Sequence, residues 1–205
     1  FVKVIAHGVA GTGPSWFEVR TKDGKTLEYG NTSDSKLEAY GSSTVYMWRL
    51  NKVADASGNT MKYIYNEVNG ESYISRIEYT TNTQAGLNTA YNSLKFNYYS
   101  NPRTDNNIQY VGGSQIPATK LLSSIRMERE GDTLVREYQF RYTYESTYDI
   151  GSRLNQITEY GSDGTYLNST IIGWGSTTTA FQCSDLFNNS KKNIYYTGDF
   201  NGDGR

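Results

Sequence analysis

Ring and aliphatic residues alternate with polar ones along most of the chain, in short runs bounded by turn residues. The pattern is clearest over Trp48–Tyr79. Trp48–Ala54, Thr60–Asn66 and Ser72–Tyr79 read as strands, with Asp55-Ala56-Ser57-Gly58-Asn59 and Glu67-Val68-Asn69-Gly70-Glu71 as the reversals between them. Gly58-Asn59 and Asn69-Gly70 tolerate the positive φ that tight hairpin turns demand. In the last of these strands Tyr73, Ile77 and Tyr79 fall on one face, Arg76 and Glu78 on the other, as in a half-buried antiparallel strand.

The same unit recurs in both directions. Phe1–Ala6 is a short β-like run and Gly8–Pro14 a Gly-rich loop. Ser15–Thr21 and Thr26–Gly30 flank Lys22-Asp23-Gly24-Lys25, and an Asp-Gly pair between alternating runs is a strong hairpin signal. Asn31–Ser43 reads as polar loop with room for a helical turn at Asp34–Tyr40, and Thr80–Asn92 as an exposed excursion. Leu94, Phe96 and Tyr98 alternate with Lys95, Asn97 and Tyr99 in a further strand. Ser100–Pro117 is the longest irregular stretch; long loops often carry function, but the reading adopted is a connection across the sheet edge.

Leu121–Glu130 and Leu134–Glu145, joined at Gly131-Asp132, make the clearest hairpin. It places Tyr138, Phe140, Tyr142 and Tyr144 on one face and Glu137, Gln139, Arg141 and Thr143 on the other. Such a ladder either holds the sheet together or offers sugars a stacking platform, and packing is the commoner use. Arg153–Tyr160 and Thr165–Trp174 around Gly161-Ser162-Asp163-Gly164 predict a last hairpin. Gly175–Ala180 reads as a linker, Phe181–Asn193 as irregular and Ile194–Thr197 as a short strand. No window has helical periodicity. The expected fold is all-β, an antiparallel meander of hairpins forming a twisted, Tyr-rich sheet or a partial barrel or shell, with little helix. The unit has no strict repeat length, which argues against an ideal solenoid.

Composition changes this picture at the core. The chain has 205 residues, enough for one larger all-β domain, but only 36% are hydrophobic and mean hydropathy is −0.68. That is low for a deep aliphatic interior. The 19 tyrosines compensate, because each buries a ring while its hydroxyl stays wet, which suits a thin or one-sided sheet. Net charge is −1, and without a Lys/Arg cluster a nucleic-acid partner is not expected. No apolar run is long enough for a membrane span, and no signal peptide is visible from Phe1 onward. The single cysteine, Cys183, allows no internal disulfide and reads as an inert thiol. The Asn/Thr/Ser/Tyr-rich, Cys-poor balance suits a secreted protein or one on the bacterial cell surface.

Candidate chemistry is sparse. Asp199-x-Asn201-x-Asp203-Gly204 has the spacing of a calcium loop, in which alternate oxygen side chains converge on one hard cation. A complete loop needs a further carboxylate downstream of Arg205. The expectation is therefore an incomplete metal site at Asp199, Asn201 and Asp203, no cofactor within these residues, and calcium in a longer chain. His7, the sole histidine, sits in a Gly-rich region far from Cys183 and reads as a surface imidazole rather than part of a triad. Glu18, Glu28, Glu78, Glu128, Glu130, Glu137 and Glu159 could supply a glycosidase pair, but they lie on strand faces shared with Lys and Arg, where solvated ladder positions explain them. Gly8-x-x-Gly11-x-Gly13-Pro14 has the glycines of a phosphate loop without the helix. Asn31-Thr32-Ser33 and Asn168-Ser169-Thr170 fit glycosylation sequons. No catalytic residue emerges, so an enzyme is not expected.

Three stretches resemble the SpvB-like N-terminal region of bacterial toxin proteins, including the B component of insecticidal toxin complexes. They are Trp16–Gly30; Trp48-x-Leu50-x-Lys52-Val53-x-Asp55-x-x-Gly58-Asn59-x-x-x-Tyr63-x-Tyr65; and a set running from Arg103-Thr104-Asp105 through Tyr110-x-x-Gly113, Leu121-Leu122-x-x-Ile125 and Tyr138-x-Phe140-x-Tyr142 to Ser152-Arg153-Leu154-x-x-Ile157. Gly198–Gly204 resembles the opening of an FG-GAP/VCBS propeller blade, which follows this region in that family. The hairpins also resemble, more loosely, the Rhs/YD repeats of polymorphic toxins. The resemblance implies an SpvB-like β-rich domain over residues 1–175, and a linker with the start of a truncated blade over 176–205. It implies a virulence-associated, secreted, multi-part protein in which this segment is scaffold. It assigns the segment no catalytic residue.

The leading expectation is a non-enzymatic β-scaffold with a shell, delivery or domain-display role. Its partners would be other domains or subunits of the parent protein, docking on an exposed edge strand or apolar patch. The alternative is a carbohydrate-binding or adhesive module with a glycan as partner, which would need exposed rings such as Trp16, Trp48 or Trp174. A glycoside hydrolase fragment, with two carboxylates facing across a cleft, ranks third.

Overall fold

The computed structural model describes residues 1–11, 13–101, 103–105, 108–144 and 151–174. The alternating runs become β1 (Lys3–His7), β2 (Trp16–Arg20), β3 (Thr26–Tyr29), β4 (Lys36–Glu38), β5 (Val45–Trp48), β6 (Leu50–Ala54), β7 (Asn59–Val68), β8 (Glu71–Asn82), β9 (Asn92–Tyr98), β10 (Gln109–Val111), β11 (Ser114–Ile116), β12 (Leu122–Arg129), β13 (Thr133–Tyr144), β14 (Ser152–Gly161) and β15 (Thr170–Ile171). Eleven of these form one sheet in the order β1-β2-β3-β6-β7-β8-β9-β12-β13-β14-β15. Each neighbouring pair is antiparallel. The all-β meander expected from the alternation is therefore the observed fold. It is open rather than barrel-like, with β1 and β15 at its ends. Two small ladders, β4–β5 and β10–β11, are inserted between β3 and β6 and between β9 and β12.

Turn chemistry fixes the meander. Between β7 and β8, Asn69 (φ 55) and Gly70 (φ 81) are both left-handed, as a two-residue hairpin matching the strand twist requires. A Cβ on Gly70 would lie 2.5 Å from the Tyr40 backbone N, so the same glycine also admits the segment after β4. Register then aligns like with like across many strands. One row, read through paired positions, is Glu18, Glu28, Lys52, Lys62, Glu78, Ser93 and Glu128. A second row on that face is Arg76, Lys95, Arg126, Glu137 and Tyr160. The opposite face carries Val4, Val19, Leu27, Val53 and Met61, continued by Tyr63, Ile77, Leu94 and Met127. The sheet thus has a charged face and an apolar face.

Among the described residues neither face carries a full second layer, since the only other ladders are two-stranded. Among the described residues only Leu37, Ala39 and Leu121 are buried apolar side chains, whereas Ser35, Asn51, Thr81, Ser93, Ser124, Glu128 and Thr158 are buried and polar. The sheet is held by its ladders and polar contacts more than by an aliphatic core.

Local structure departs from expectation in four places. Asp34–Tyr40 is not a helical turn: a short 3-10 turn at Ser33–Ser35 leads directly into β4. There Leu37 turns inward, its burial outweighing the local polarity. Ser100–Pro117 is not wholly irregular, because Gly112 (φ 57) and Gly113 (φ 84) reverse the chain between β10 and β11. The Tyr40 N–H donates to the Gln115 carbonyl at 3.0 Å, joining this hairpin to the segment after β4. The strand expected over Thr165–Trp174 shrinks to β15, two residues long. Within β8, the register shift opposite Ile64/Tyr65 drops Ser75 out of the paired register, its Oγ donating instead to the Ile64 carbonyl at 3.2 Å. The strict alternation that grouped Tyr73 with Ile77 and Tyr79 is broken there.

The chain divides into two units, Phe1–Gly173 and Trp174–Arg205. The expected boundary after residue 175 and the blade-like end lie outside the described residues.

Candidate functional site

The charged face concentrates the ionisable groups. Glu128 is 3% exposed, yet its Oε2 lies 3.1 Å from Arg76 Nη2 and its Oε1 3.1 Å from Arg126 Nε. Arg76 also donates to Ser93 Oγ at 3.0 Å and pairs with Asp132. The Asp132 hydrogen bond raises the Arg76 pKa, and Arg76 in turn lowers that of Asp132. A cavity of about 300 Å³ beside this cluster is lined by Lys62, Arg76, Glu78, Tyr91 and Asp132 among others. Glu128 therefore corrects the expectation of solvated acids: it is a buried charge bracketed by two guanidiniums, and burial of this kind requires such pairing.

Three other acids of the candidate set are engaged as well, whereas Glu130 is exposed. Glu28 accepts from Lys52 Nζ at 2.9 Å and from Asn31 Nδ2 at 2.7 Å, and Glu159 pairs with Arg136 at 2.8 Å. Glu18 pairs with Arg20 and lies 3.2 Å from His7 Nε2. The Arg20 hydrogen bond is the largest cause of its lowered pKa. Glu18 and Glu28 are direct cross-strand neighbours; each is neutralised by its own cation, so they are not a pair of free carboxylates across a cleft. His7 stacks on Trp16, ring centroids 3.9 Å apart and 9° from parallel, so its surroundings are a ring and a carboxylate.

Two further carboxylates pin loops to strands, and sequence reasoning missed both roles. Asp105 accepts from Arg103 Nε (3.0 Å) and Nη2 (2.7 Å), and from the Ser152 N–H (2.6 Å) and Oγ (2.8 Å). These bonds, Arg103 first, hold its carboxyl well below the usual range. Glu71 accepts from the Thr119 N–H, from Thr119 Oγ1 (2.6 Å) and from the Lys120 N–H (3.1 Å). Arg103-x-Asp105 was a local signal for the first; nothing local in the sequence marked the second.

The aromatic ladder of β13 is mixed in use. Tyr142 packs edge-on against Tyr99 with centroids 6.3 Å apart, and the Tyr99 hydroxyl donates to the Phe140 carbonyl at 2.6 Å. Tyr144 is exposed. Trp48 meets Phe17 edge-on at 5.1 Å, and its Nε1 donates to the Ser15 carbonyl. Trp16 is engaged by His7, while Trp174 is exposed. Two of the three rings on which a glycan platform would rest thus serve packing.

Asp199, Asn201, Asp203 and Cys183 lie outside the described residues. Among the described residues, no group of three or more His, Cys, Asp or Glu side chains is arranged to hold a metal, and no helix is long and apolar enough to cross a membrane.

What the arrangement does offer is surface. On the apolar face, Val4 and Met61 are exposed and Val19, Leu27, Val53, Ile77 and Leu94 only half-buried. The edge strand β1 is preceded by exposed Phe1 and Val2, and its own Val4 is 62% exposed.

The sequence profile of a family described as "SpvB: Salmonella virulence plasmid 65kDa B protein" matches residues 6–125. The structure of the N-terminal domain of effector protein SpvB from Salmonella typhimurium strain LT2 is similar at a TM-score of 0.66 and 17% identity, covering 78% of this chain and 65% of that one. The crystal structures of TcdB2-TccC3-Cdc42 and TcdB2-TccC3-TEV are similar at TM-scores of 0.72 and 0.69, each at 16% identity. Each alignment covers 84% of this chain and only 11% of the other. At these identities the likeness is one of fold. No curated protein matches the chain.

Proposed function

The chain belongs to the SpvB family, and on that premise we propose that it is a non-enzymatic scaffold module of a secreted toxin-like protein, serving a shell, delivery or domain-display role. The observation that carries this reading is the asymmetry of the sheet. Its charged face holds ion pairs, down to the buried Glu128, while on its apolar face, among the described residues, Val4 and Met61 are exposed and Val19, Leu27, Val53, Ile77 and Leu94 are only half-buried. An apolar sheet face left open costs solvation free energy until another surface covers it. The partners would be neighbouring domains or subunits of the same assembly. The similar TcdB2-TccC3 structures, each of more than one named component, support a multi-part setting. In a longer chain, Asp199, Asn201 and Asp203 would open a following module that takes calcium once a downstream carboxylate completes the loop.

A charge placed on the apolar face tests this. Val4→Lys sits at an exposed position on the edge strand. In the isolated chain it should change unfolding free energy by no more than about 0.5 kcal/mol, as exposed substitutions do. In the longer parent protein it should lower the melting temperature or the yield of assembled protein. A variant neutral in both settings would contradict a docking role for this face.

A further inference from the structure

A cavity of about 570 Å³ lies among the β5–β6 junction, the start of β8 and the β10–β11 hairpin with its following segment. Small-molecule sites occupy about 300–1,000 Å³. Leu37, Tyr46, Tyr73, Val111 and Ile116 give it an apolar wall. Arg49 also lines it, held from two sides: Nη2 donates to the Ser72 carbonyl at 3.0 Å, and the guanidinium carbon lies 5.4 Å over the Tyr65 ring.

Two polar atoms just behind this wall lack protein partners. Arg49 Nε is buried without an acceptor, and Ser72 Oγ is buried without any hydrogen-bond partner. A buried donor left unmatched is costly, and a charged one more so. Among the described residues no carboxylate forms an ion pair with Arg49. Glu71 lines the cavity too, but its oxygens are taken by Thr119 and the Lys120 N–H. Lys120 adds a second positive charge to the lining. The cavity therefore combines apolar walls with two cations, Arg49 and Lys120, against one carboxylate, Glu71, and two unmatched polar atoms lie just behind its Arg49–Ser72 wall.

We propose that this cavity binds a carboxylate carried on an aromatic or aliphatic body, received by Arg49 and Ser72 with Lys120 adding charge. The planar guanidinium suits a planar carboxylate, and the body would cover the apolar wall. The carrier is either a free organic acid or an acidic side chain beside an apolar one in a peptide. The site does not depend on the scaffold role.

The test is a titration followed by backbone amide NMR shifts, using 3-phenylpropionate, its neutral amide 3-phenylpropionamide, and the capped peptide acetyl-Ala-Phe-Glu-Ala-amide. The acid should move resonances around Ser72, Val111 and Ile116, and bind about tenfold or more tightly than the amide, the factor a charge-assisted hydrogen bond supplies. Arg49→Met keeps the apolar stem and should abolish that advantage. Ser72→Ala and Lys120→Gln should each reduce it, and they carry the comparison if Arg49→Met does not fold. Tighter binding of the free acid assigns the site to a small molecule; tighter binding of the peptide assigns it to a protein segment. Equal affinity for acid and amide, an advantage unchanged in the variants that fold, or no shift from acid or peptide at the solubility limit would each overturn the proposal.

Discussion

At the scale of single residues, the structure turns on a few carboxylates whose partners are remote in sequence. Glu128 meets Arg76 from β8, and Arg76 in turn meets Asp132 in the β12–β13 turn. Replacing Glu128 with Gln leaves Arg126 without its counter-charge and Arg76 with Asp132 alone, and should cost about 3 kcal/mol in denaturant unfolding, as breaking a buried pair does. A loss below about 0.5 kcal/mol would show that the cluster is solvated. Asp105 is the acid-sensitive member. Its folded pKa lies below the unfolded value of about 3.9. Its contribution is therefore complete above about pH 4 and is lost as pH falls through the lower, folded value. Asp105→Asn should cost about 2 kcal/mol at pH 7 and flatten the acid limb of stability against pH. An unchanged acid limb would contradict the clamp. The sequence showed which acids share a face with Lys and Arg. It could not show that Glu128 is buried, because the groups around it come from separate strands and a turn.

At the scale of elements, most strands were legible because alternation and turn chemistry agree. Asp23-Gly24, Asn69-Gly70 and Gly131-Asp132 each mark a reversal that is observed. The small ladders were not legible. β4 and β10 are three residues long, too short for a period to show, and Gly112-Gly113 read as loop because so little alternation flanks it. β15 was over-read, since the turn at Gly161–Gly164 is a hairpin signal that the chain follows only as far as a two-residue strand. Gly70 tests the turn argument. Gly70→Ala forces a Cβ into a left-handed position and against the Tyr40 backbone, so it should cost about 2 kcal/mol or more. Gly164→Ala serves as control: φ is +78 but nothing lies within 4 Å of the added Cβ, so its cost should stay near 1 kcal/mol, roughly the left-handed penalty alone. Equal melting temperatures for the two variants would remove the close-approach part of the argument.

At the scale of the whole molecule, fold class and family were both readable, the first from alternation and the second from the order of the quoted motifs. The two-faced character was only partly readable. Parity within each strand was visible, but the cross-strand rows depend on register, and register depends on bulges the sequence does not announce. Those rows are what make the sheet a plausible framework: charges from Glu18 to Glu128 on one side, aliphatic and ring residues from Val4 to Met127 on the other. Hydroxyl-radical footprinting of Val4, Leu27 and Met61 tests this most directly, comparing the isolated chain with the longer parent protein. The account predicts ready labelling of these side chains in the isolated chain and labelling reduced several-fold in the parent, with the control Tyr91, exposed beside the Arg76–Asp132 cluster, less affected. Equal labelling of the apolar face in both forms would contradict it.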